Sequence, residues 1–339
     1  MIYGHGDDIH AVKHTLKANF SSNVWREGPH EKLVEAVANS AASIANYPEP
    51  DAEPLKRSLA IHHGLMAEHF MASNGTAESI YLICQCFRDT SATIIVPTFS
   101  EYEDAARING ISCHYIPWRD VKQSLSFSTR LAFICNPNNP TGDLLSQDTF
   151  DHWLTENPGT TFVIDEAYYA FTREAQSVLP LLQKHDNLVI LRSLTKLFAI
   201  PGLRLGYIIA SRSMIKKLRA FKIPWSVNAL ALQAGLYITK HYAELTPPID
   251  ALLEETEWLC RQIDQLPGYQ CIPSHTTFFL VKSQRGNAAD LKAYLIEHHR
   301  LLTRNADNFR GLDTNVFRVA TQTRSKNELL INALALWRS

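Results

Sequence analysis

NLVILRSLTKLFAIPGLRLGYIIAS, residues 187–211, is the stretch of sequence that decides the fold. Two short apolar runs flank a segment that carries hydroxyl groups, a lysine and an arginine. Runs of this kind are typical of strands buried on both faces of a sheet, so the polar segment is expected at a sheet edge. Lys196 lies there between Ser193-Leu-Thr195 and the apolar Leu-Phe-Ala-Ile, which is a poor setting for a solvated side chain. We therefore predict that Lys196 is a functional residue rather than a surface lysine.

The same pattern extends over residues 70 to 225. The further apolar runs are TIIVP (93–97), LAFICNP (131–137) and TFVIDEAY (161–168), separated by segments of helix length. Near-continuous apolar strands of this kind indicate a mainly parallel sheet that is covered by helices. Right-handed crossovers bring the carboxyl ends of such strands to one edge, where ligands bind. The sequence therefore predicts an α/β fold with its site at that edge.

The pattern changes after Pro224. Residues 229–263 indicate long helices, and the runs at 276–283 and 315–322 alternate as half-buried strands do. We predict three parts: an amino-terminal arm and helix (1–45) that pack on the small domain, a large α/β domain (46–225), and an interdomain helix with a small α+β domain (226–339).

Charge and composition narrow the class of protein. Lys and Arg number 33 and Asp and Glu 34, which gives no basic surface for nucleic acid or for an anionic membrane. No apolar run approaches the roughly 20 residues of a membrane helix. The six cysteines are scattered, without zinc-ligand spacing, and the amino terminus lacks a signal-peptide pattern. We expect a cytoplasmic protein with reduced thiols and no metal site.

The polar residues that follow the strands match what pyridoxal 5′-phosphate (PLP) requires of a protein. Lys196 can bond to the aldehyde of the cofactor, because desolvation favours a neutral, nucleophilic amine. Asp165, after TFVI, can keep the ring nitrogen protonated, on which the action of PLP as an electron sink depends. Asn139 and Tyr168 can hydrogen bond to the ring oxygen. The competing interpretations are a helix cap for Asp165 and simple packing for Tyr168.

The phosphate group of PLP needs several donors, and a helix start offers them. Gly75-Thr76 would supply N–H groups, although such a triplet after Asn74 also marks many turns. Hydroxyl groups and one guanidinium can add to this nest, and Phe99 can stack on the ring unless it belongs to the core. The predicted cofactor residues of this edge are Gly75, Thr76, Phe99, Asn139, Asp165, Tyr168, Ser193, Thr195, Lys196 and Arg204; Lys196, Asp165 and Tyr168 are also predicted to be catalytic.

These motifs resemble those of the fold-type I aminotransferases of class I/II. The matching stretches are Asn139-Pro-Thr-Gly142, Asp165-Glu-Ala-Tyr168 and Ser193-Leu-Thr-Lys-Leu-Phe-Ala-Ile-Pro-Gly-Leu-Arg-Leu-Gly206. The resemblance implies a homodimer with active sites at the subunit interface. It also implies that Tyr47 reaches the cofactor phosphate of the partner subunit and that Arg318 binds the α-carboxylate of the substrate.

Within that family the chain resembles histidinol-phosphate aminotransferases and, more strongly, the threonine-phosphate decarboxylases of cobalamin biosynthesis. The second resemblance rests on Gly4-His-Gly-Asp-Asp-Ile9, Asn19-Phe-Ser-Ser-Asn23, Pro224-Trp-Ser-Val-Asn-Ala-Leu-Ala231 and Arg304-Asn-Ala-Asp-Asn-Phe309. It implies that His5 and Arg304 hold a substrate phosphate group, with Asn23 also in the substrate site. Asp7 and Asp8 replace a Gly-Asn-like pair and would put acids beside that phosphate.

The implied reaction is decarboxylation of L-threonine O-3-phosphate to (R)-1-aminopropan-2-yl phosphate. An aminotransferase of histidinol phosphate or of an aromatic amino acid would share every cofactor residue, so it stays open as the alternative. A non-catalytic PLP-binding regulator usually carries a helix-turn-helix domain, for which 339 residues leave no room. A nicotinamide enzyme is disfavoured because no strand is followed by Gly-x-Gly-x-x-Gly.

Overall fold

The structure, a computed structural model, describes residues 6–174 and 176–338. The chain first forms a two-residue strand, β1 (Ala18–Asn19), and then two helices, α1 (Glu31–Asn39) and α2 (Glu53–His63). Helix α2 ends at Gly64, whose φ of 66° is a left-handed conformation that glycine adopts at low cost. These elements precede a large central sheet.

Seven strands form the central sheet. In chain order they are β2 (Phe70–Ser73), β3 (Ser91–Val96), β4 (Ser112–Pro117), β5 (Leu131–Cys135), β6 (Thr161–Asp165), β7 (Leu188–Ser193) and β8 (Gly206–Ala210). Their spatial order is β2-β8-β7-β6-β5-β3-β4, and β8 runs antiparallel to both of its neighbours. Three helices lie between these strands in the chain, α3 (Gly75–Cys86), α4 (Glu101–Ile108) and α5 (Gln147–Glu156), and α6 (Arg212–Arg219) follows β8. The predicted α/β fold with a mainly parallel sheet is confirmed.

Strands β2, β4 and β8 show where the apolar pattern was insufficient. The pattern did not predict β2, which is short, or β4, which is a half-exposed edge strand without a continuous apolar run. Strand β8 is antiparallel because residues 194–205 contain only a single 3-10 turn, Pro201–Leu203. A parallel connection needs a crossover of a dozen or more residues, usually with a helix.

Core residues lie on both faces of the central sheet. Along β6, Phe162 and Ile164 pack in one buried cluster, whereas Val163 packs in another on the opposite face. Successive side chains of a strand point to opposite faces, so a strand that is buried on both faces needs apolar residues at every position. This is why the strands read as continuous apolar runs.

A second, smaller sheet follows. Helices α7 (Ala229–Lys240), α8 (Tyr242–Leu245) and α9 (Ile249–Asp264) lead into it, and α10 (Ala288–Tyr294) and α11 (Arg324–Leu336) pack against it. Its antiparallel strands are ordered β12-β13-β10-β9, with the bounds β9 (Tyr269–Ile272), β10 (Phe278–Ser283), β12 (Arg304–Asn305) and β13 (Val316–Ala320). Strand β11 (Leu301–Leu302) pairs with β1, so the amino terminus returns to this half.

Helix α1 lies elsewhere. Its buried Leu33 belongs to the core of the central sheet, and α1 packs against α7. The predicted limits at residues 45 and 225 stay a prediction. Within the described residues, no helix is long and apolar enough to cross a membrane.

Gly206 gives a test of how β8 supports helix α3. A Cβ atom at this position would lie 2.8 Å from the backbone nitrogen of Thr76 and 3.0 Å from the carbonyl carbon of Gly75. We predict that Gly206→Ala lowers the free energy of unfolding by about 1–3 kcal/mol, because backbone atoms cannot move aside easily. Thermal denaturation measures this. Gly159→Ala is the matched control, since a Cβ there would meet nothing within 4 Å; equal effects of both substitutions would contradict the prediction.

Candidate active site

A cavity of about 100 Å³ lies at the predicted edge of the central sheet. Strand ends and the start of α3 surround it, as expected for a sheet whose strands end at one edge. Except for Tyr47, the predicted cofactor residues all line this cavity: Gly75, Thr76, Phe99, Asn139, Asp165, Tyr168, Ser193, Thr195, Lys196 and Arg204. Residues that are far apart in sequence are therefore brought together as predicted, although their roles stay proposals.

Asp165 is the buried acid of this cavity. Its side chain is at the end of β6 and only 3% exposed. Desolvation raises the pKa of its carboxyl group to about 6, against the opposing effect of two hydrogen bonds. Its Oδ1 accepts the backbone N–H of Ala167 at 3.0 Å. Desolvation disfavours the charged form of a carboxyl group, so Asp165 ionises at a higher pH than an exposed aspartate, and a positive partner would favour its charged form.

Tyr102 makes the second hydrogen bond to Asp165, and this residue was not predicted from the sequence. Its hydroxyl group donates to Oδ2 of Asp165 at 2.7 Å, and its ring stacks on Phe133 with centroids 5.2 Å apart. Burial and the neighbouring Asp165 charge raise the pKa of Tyr102 well above its ordinary value, so the group stays a donor. The available signal was its place in Phe99-Ser-Glu-Tyr102, the segment that leads into α4, close to an aromatic residue that was itself predicted to line the site.

The start of α3 is shaped for an anion. Gly75 has a φ of 76°, and a Cβ atom there would lie 2.5 Å from Nη2 of Arg204. The guanidinium group of Arg204 therefore lies against the first residue of the helix, where backbone N–H groups point outward. Ser193 and Thr195 add hydroxyl groups 2.8 Å apart. Together they form a nest of donors for a phosphate group.

Lys196 is held by backbone hydrogen bonds from Trp25 and within its own loop. Its carbonyl oxygen accepts the N–H of Trp25 at 3.0 Å, and Ile200 N–H donates to the carbonyl oxygen of Thr195 at 3.1 Å. The flanking Leu194 and Leu197 are buried in the core. The side chain of Lys196 is half-buried and lines the cavity together with Asp165. The amine and the buried acid thus face one small space.

These residues fit PLP. The buried carboxylate of Asp165 matches a protonated ring nitrogen, and the donor nest around Gly75 matches a phosphate group. Lys196 supplies the amine that the aldehyde needs, and Phe99 and Tyr168 line the space between. Bound PLP would supply an electron sink for a bond broken at the Cα atom of an amino acid.

A second cavity, of about 290 Å³, opens from the same residues. It shares Phe99, Asn139, Tyr168, Lys196 and Arg204 with the first cavity. Its remaining wall contains the predicted substrate residues Asn23, Arg304 and Arg318, together with Gly6, Ser21 and Phe309. The structure therefore places the predicted substrate side next to the predicted cofactor side.

Arg318 is buried in that wall. Its guanidinium group donates to Oδ1 of Asn139, through Nη1, and to the carbonyl oxygen of Ser21 at 2.7 Å, through Nη2. Burial, together with the nearby charge of Arg304, lowers its pKa to about 10. It remains a cation at neutral pH, held by neutral acceptors, and can bind a carboxylate without first breaking an ion pair.

Arg304 lies directly across from Arg318. The two Cα atoms are partners in the pairing of β12 with β13, and residues opposite each other share one face of a sheet. Nη2 of Arg304 donates to Oδ1 of Asn308 at 2.8 Å, and the guanidinium group lies 5.2 Å from the ring centroid of Phe309. Burial lowers the pKa of Arg304 to about 10. Like charges opposite each other are unfavourable, so this pair favours a ligand with more than one negative charge.

The three remaining predicted site residues, Asn23, Tyr47 and His5, differ in where they lie relative to the two cavities. Asn23 is buried, and its amide nitrogen and oxygen make no hydrogen bond with the described residues, so both atoms can serve a ligand. Tyr47 is 85% exposed and packs on Trp225 at 5.3 Å between ring centroids, away from the two cavities. His5 lies outside the described residues. Ser21, Asn308 and Phe309 were not predicted, because no sequence pattern marks a carbonyl acceptor or the neighbours of a buried arginine.

The fold and this edge site define a PLP-dependent enzyme. The family model described as aminotransferase class I and II matches residues 15–334. The chain belongs to that family, which confirms the resemblance seen in the sequence and the predicted cofactor.

Three relatives show the range of activities around this chain. The threonine-phosphate decarboxylase of Salmonella typhimurium is 32% identical over 330 residues, which cover 93% of this chain and 90% of that protein. The histidinol-phosphate aminotransferase of Caldanaerobacter subterraneus subsp. tengcongensis is 31% identical over 324 residues, covering 91% and 90%. The crystal structure of L-threonine-O-3-phosphate decarboxylase from Porphyromonas gingivalis superposes with a TM-score of 0.91 at 38% identity, covering 94% of this chain and 98% of that one.

The raised pKa of Asp165 predicts a pH-dependent cost in the cofactor-free protein. A carboxyl group whose pKa is higher in the folded state destabilises that state once it must ionise, so the cost grows as pH rises through about 6. Because the unfolded group ionises near pH 4 and the folded group near pH 6, we expect Asp165→Asn to raise the free energy of unfolding relative to the wild type by about 2 kcal/mol more at pH 7.5 than at pH 4. Denaturant titrations of both apoproteins at the two pH values measure this. If the two apoproteins differ in free energy of unfolding by the same amount at both pH values, the raised pKa of Asp165 is contradicted.

Proposed function

We propose that this enzyme decarboxylates L-threonine O-3-phosphate to (R)-1-aminopropan-2-yl phosphate. The observation that carries the proposal is the pair of buried arginines, Arg304 and Arg318, opposite each other on β12 and β13 beside Lys196. A substrate with a phosphate and a carboxylate would satisfy both cations at once. The unpaired amide of Asn23 adds a donor and an acceptor to the same wall.

The relatives support this choice of substrate class. Threonine-phosphate decarboxylases and histidinol-phosphate aminotransferases both carry a phosphate ester in the names of their substrates. The solved decarboxylase has the higher identity, 38%, and covers almost the whole chain. By similarity to those decarboxylases, we also propose that the reaction serves cobalamin biosynthesis.

Each residue has a distinct task in the proposed reaction. Arg318 would hold the α-carboxylate, and Arg304 would hold the phosphate group with the help of His5. The bond at Cα that breaks is the one aligned with the π-system of the cofactor, so these two anchors would decide which bond that is. The amine of Lys196, close to Asp165, would deliver a proton to Cα after carbon dioxide has left. Asp165 and Tyr102 would hold the ring nitrogen in its protonated form.

A histidinol-phosphate aminotransferase is the second candidate. It would use the same cofactor residues and the same phosphate anchor, and one such relative is 31% identical over 91% of this chain. Histidinol phosphate has no carboxylate, however, so Arg318 would serve only the oxo-acid that accepts the amino group. The two candidates therefore differ in what Arg318 binds in the first half of the reaction.

The reaction product decides between the candidates. We expect the purified holoenzyme to release carbon dioxide from L-threonine O-3-phosphate without an added oxo-acid, while the visible absorbance of the bound cofactor returns to its starting value. An aminotransferase would instead leave the aminated cofactor and would need an oxo-acid to recover. Amino transfer from histidinol phosphate to 2-oxoglutarate, with no carbon dioxide from threonine phosphate, would overturn the proposal.

Arg304→Met provides the control for substrate recognition. Loss of a charge-assisted hydrogen bond of this type should raise the KM for threonine phosphate about 10- to 100-fold. The cofactor absorbance should not change, because Arg304 does not line the cofactor cavity. An unchanged KM would show that the phosphate binds elsewhere.

We further propose that the enzyme is a cytoplasmic homodimer. Exposed apolar side chains support this, among them Tyr47, Trp225, Ile44 and Ile223. Tyr47 and Trp225 touch each other, so a second subunit could cover them together. The six cysteines are free thiols, as expected in a reducing compartment.

Sedimentation of the holoenzyme tests the assembly. We expect a species of about twice the monomer mass, and we expect Tyr47→Phe to weaken PLP binding while the dimer persists, because only one hydroxyl group is lost. The fluorescence change on PLP titration measures that affinity. A monomeric holoenzyme would contradict both the dimer and the role of Tyr47.

A further inference from the structure

The amino-terminal strap, defined here as residues 6–12, forms one wall of the substrate cavity. Gly6 and Asp7 line this cavity together with Arg304 and Arg318. A Cβ atom on Gly6 would lie 2.7 Å from the carbonyl oxygen of Ser21, 3.3 Å from Nη2 of Arg318 and 3.4 Å from Cδ of Arg304. The backbone of the strap therefore packs directly on the two arginines that would bind the substrate.

Asp7 connects the strap to Arg318 through one residue. Its N–H donates to Oγ of Ser21 at 2.9 Å, and the carbonyl oxygen of Ser21 accepts from Nη2 of Arg318 at 2.7 Å. The φ of Asp7 is 64°, a conformation that suits glycine and is tolerated by aspartate. Its carboxylate accepts from Nδ2 of Asn19 at 2.6 Å. The first of the two acids that depart from the family pattern is therefore bound by a neutral amide.

Asp8 connects the strap to helix α10. Its Oδ2 lies 2.5 Å from Nζ of Lys292, and the two side chains are 30% and 19% exposed. The other oxygen, Oδ1, is buried and makes no hydrogen bond with the described residues. Lys292 lies on α10, so this ion pair joins the strap to a helix 284 positions further along the sequence.

The charge of Asp8 also reaches the substrate site. Asp8 raises the pKa of Arg304, opposing the effect of burial. A negative group this close to Arg304 would repel an incoming phosphate unless a cation neutralised it. Lys292 is placed to do so, since its ammonium group contacts the carboxylate of Asp8 directly.

We propose that Lys292 is a positioning residue that holds the strap closed on the substrate cavity and neutralises Asp8, so that Arg304 can accept a phosphate group. The recognition of a phosphate ester rests on the proposed function, whereas the fixation of the strap does not. Asp8 and Lys292 thus act through Gly6, Asp7 and Arg304, and neither touches the reacting atoms.

The two parts of this role predict an asymmetry between the single variants. Lys292→Met removes the fixation and leaves Asp8 charged beside the phosphate, whereas Asp8→Asn removes the fixation and the negative charge together. In the holoenzyme we expect the apparent Kd for L-threonine O-3-phosphate to rise about tenfold in Lys292→Met and about threefold in Asp8→Asn. Asp8→Asn with Lys292→Met should match Asp8→Asn alone. The absorbance change of the bound cofactor on titration measures these affinities.

Two controls separate this role from a general loss of stability. Lys282 lies on β10 of the small sheet and forms an exposed ion pair with Asp313 at 3.2 Å. Lys282→Met breaks this pair and should leave the Kd for threonine phosphate unchanged. L-threonine lacks the phosphate group, so its apparent Kd should rise by the same factor in Lys292→Met and in Asp8→Asn. Equal Kd values for threonine phosphate in these two variants would overturn the neutralising role.

Hydrogen–deuterium exchange tests the fixation of the strap without a substrate. In the holoenzyme, exchange within residues 6–12 should be faster in Lys292→Met than in the wild type, while residues 18–24 stay protected. Unchanged exchange of the strap would overturn the fixation. If the wild type neither decarboxylates nor binds threonine phosphate, the proposed function and the neutralising role fail, but the exchange result still decides the fixation.

Discussion

A carboxylate that is buried at the end of a central strand needs positive charge nearby, because desolvation otherwise drives it to bind a proton. Asp165 has two hydrogen-bond donors, Tyr102 and the N–H of Ala167, and they are too weak to offset its burial. Only 3% of Asp165 is exposed, and the strands around it are apolar on both faces. The negative charge of Asp165 is therefore incompletely compensated in the central sheet, and a protonated ring nitrogen would compensate it. Binding of the cofactor and stability of the fold are coupled through this one group.

The substrate side follows the same logic with opposite charge. Arg304 and Arg318 are buried cations on paired strands, and each lowers its own burial cost with neutral acceptors such as Asn308 and Asn139. Anions that enter the cavity would replace unfavourable repulsion by two ion pairs. A buried acid on one side of Lys196 and buried cations on the other would favour one orientation of a bound amino acid, with its anionic groups away from Asp165.

Local pattern predicted much of this arrangement. The continuous apolar runs located β5, β6 and β7, and the rule for parallel strands predicted that Asn139, Asp165 and Lys196 lie at one edge. The role of Tyr102 was not predicted, because the sequence pattern of a buried helical tyrosine is the same whether or not its hydroxyl group contacts a carboxylate. The partners of Asp7 and Asp8, Asn19 and Lys292, could not be predicted either. Such contacts depend on how two distant segments pack, and no period in the sequence records that.

The relation between the two sheets is what the shared motifs leave undetermined. Asp165 ends β6 of the central sheet and Lys196 follows β7, whereas Arg304 and Arg318 belong to the small sheet. Several contacts join the two halves at the site, among them Arg318 with Asn139, Tyr168 with Phe278 at 4.9 Å between ring centroids, and Arg310 with Glu103 at 2.6 and 3.0 Å. A shift of the small sheet by a fraction of an ångström would turn the substrate about its Cα and present a different bond to the cofactor. Enzymes that share every cofactor residue can therefore remove carbon dioxide or a proton, and the shared motifs alone do not assign the reaction.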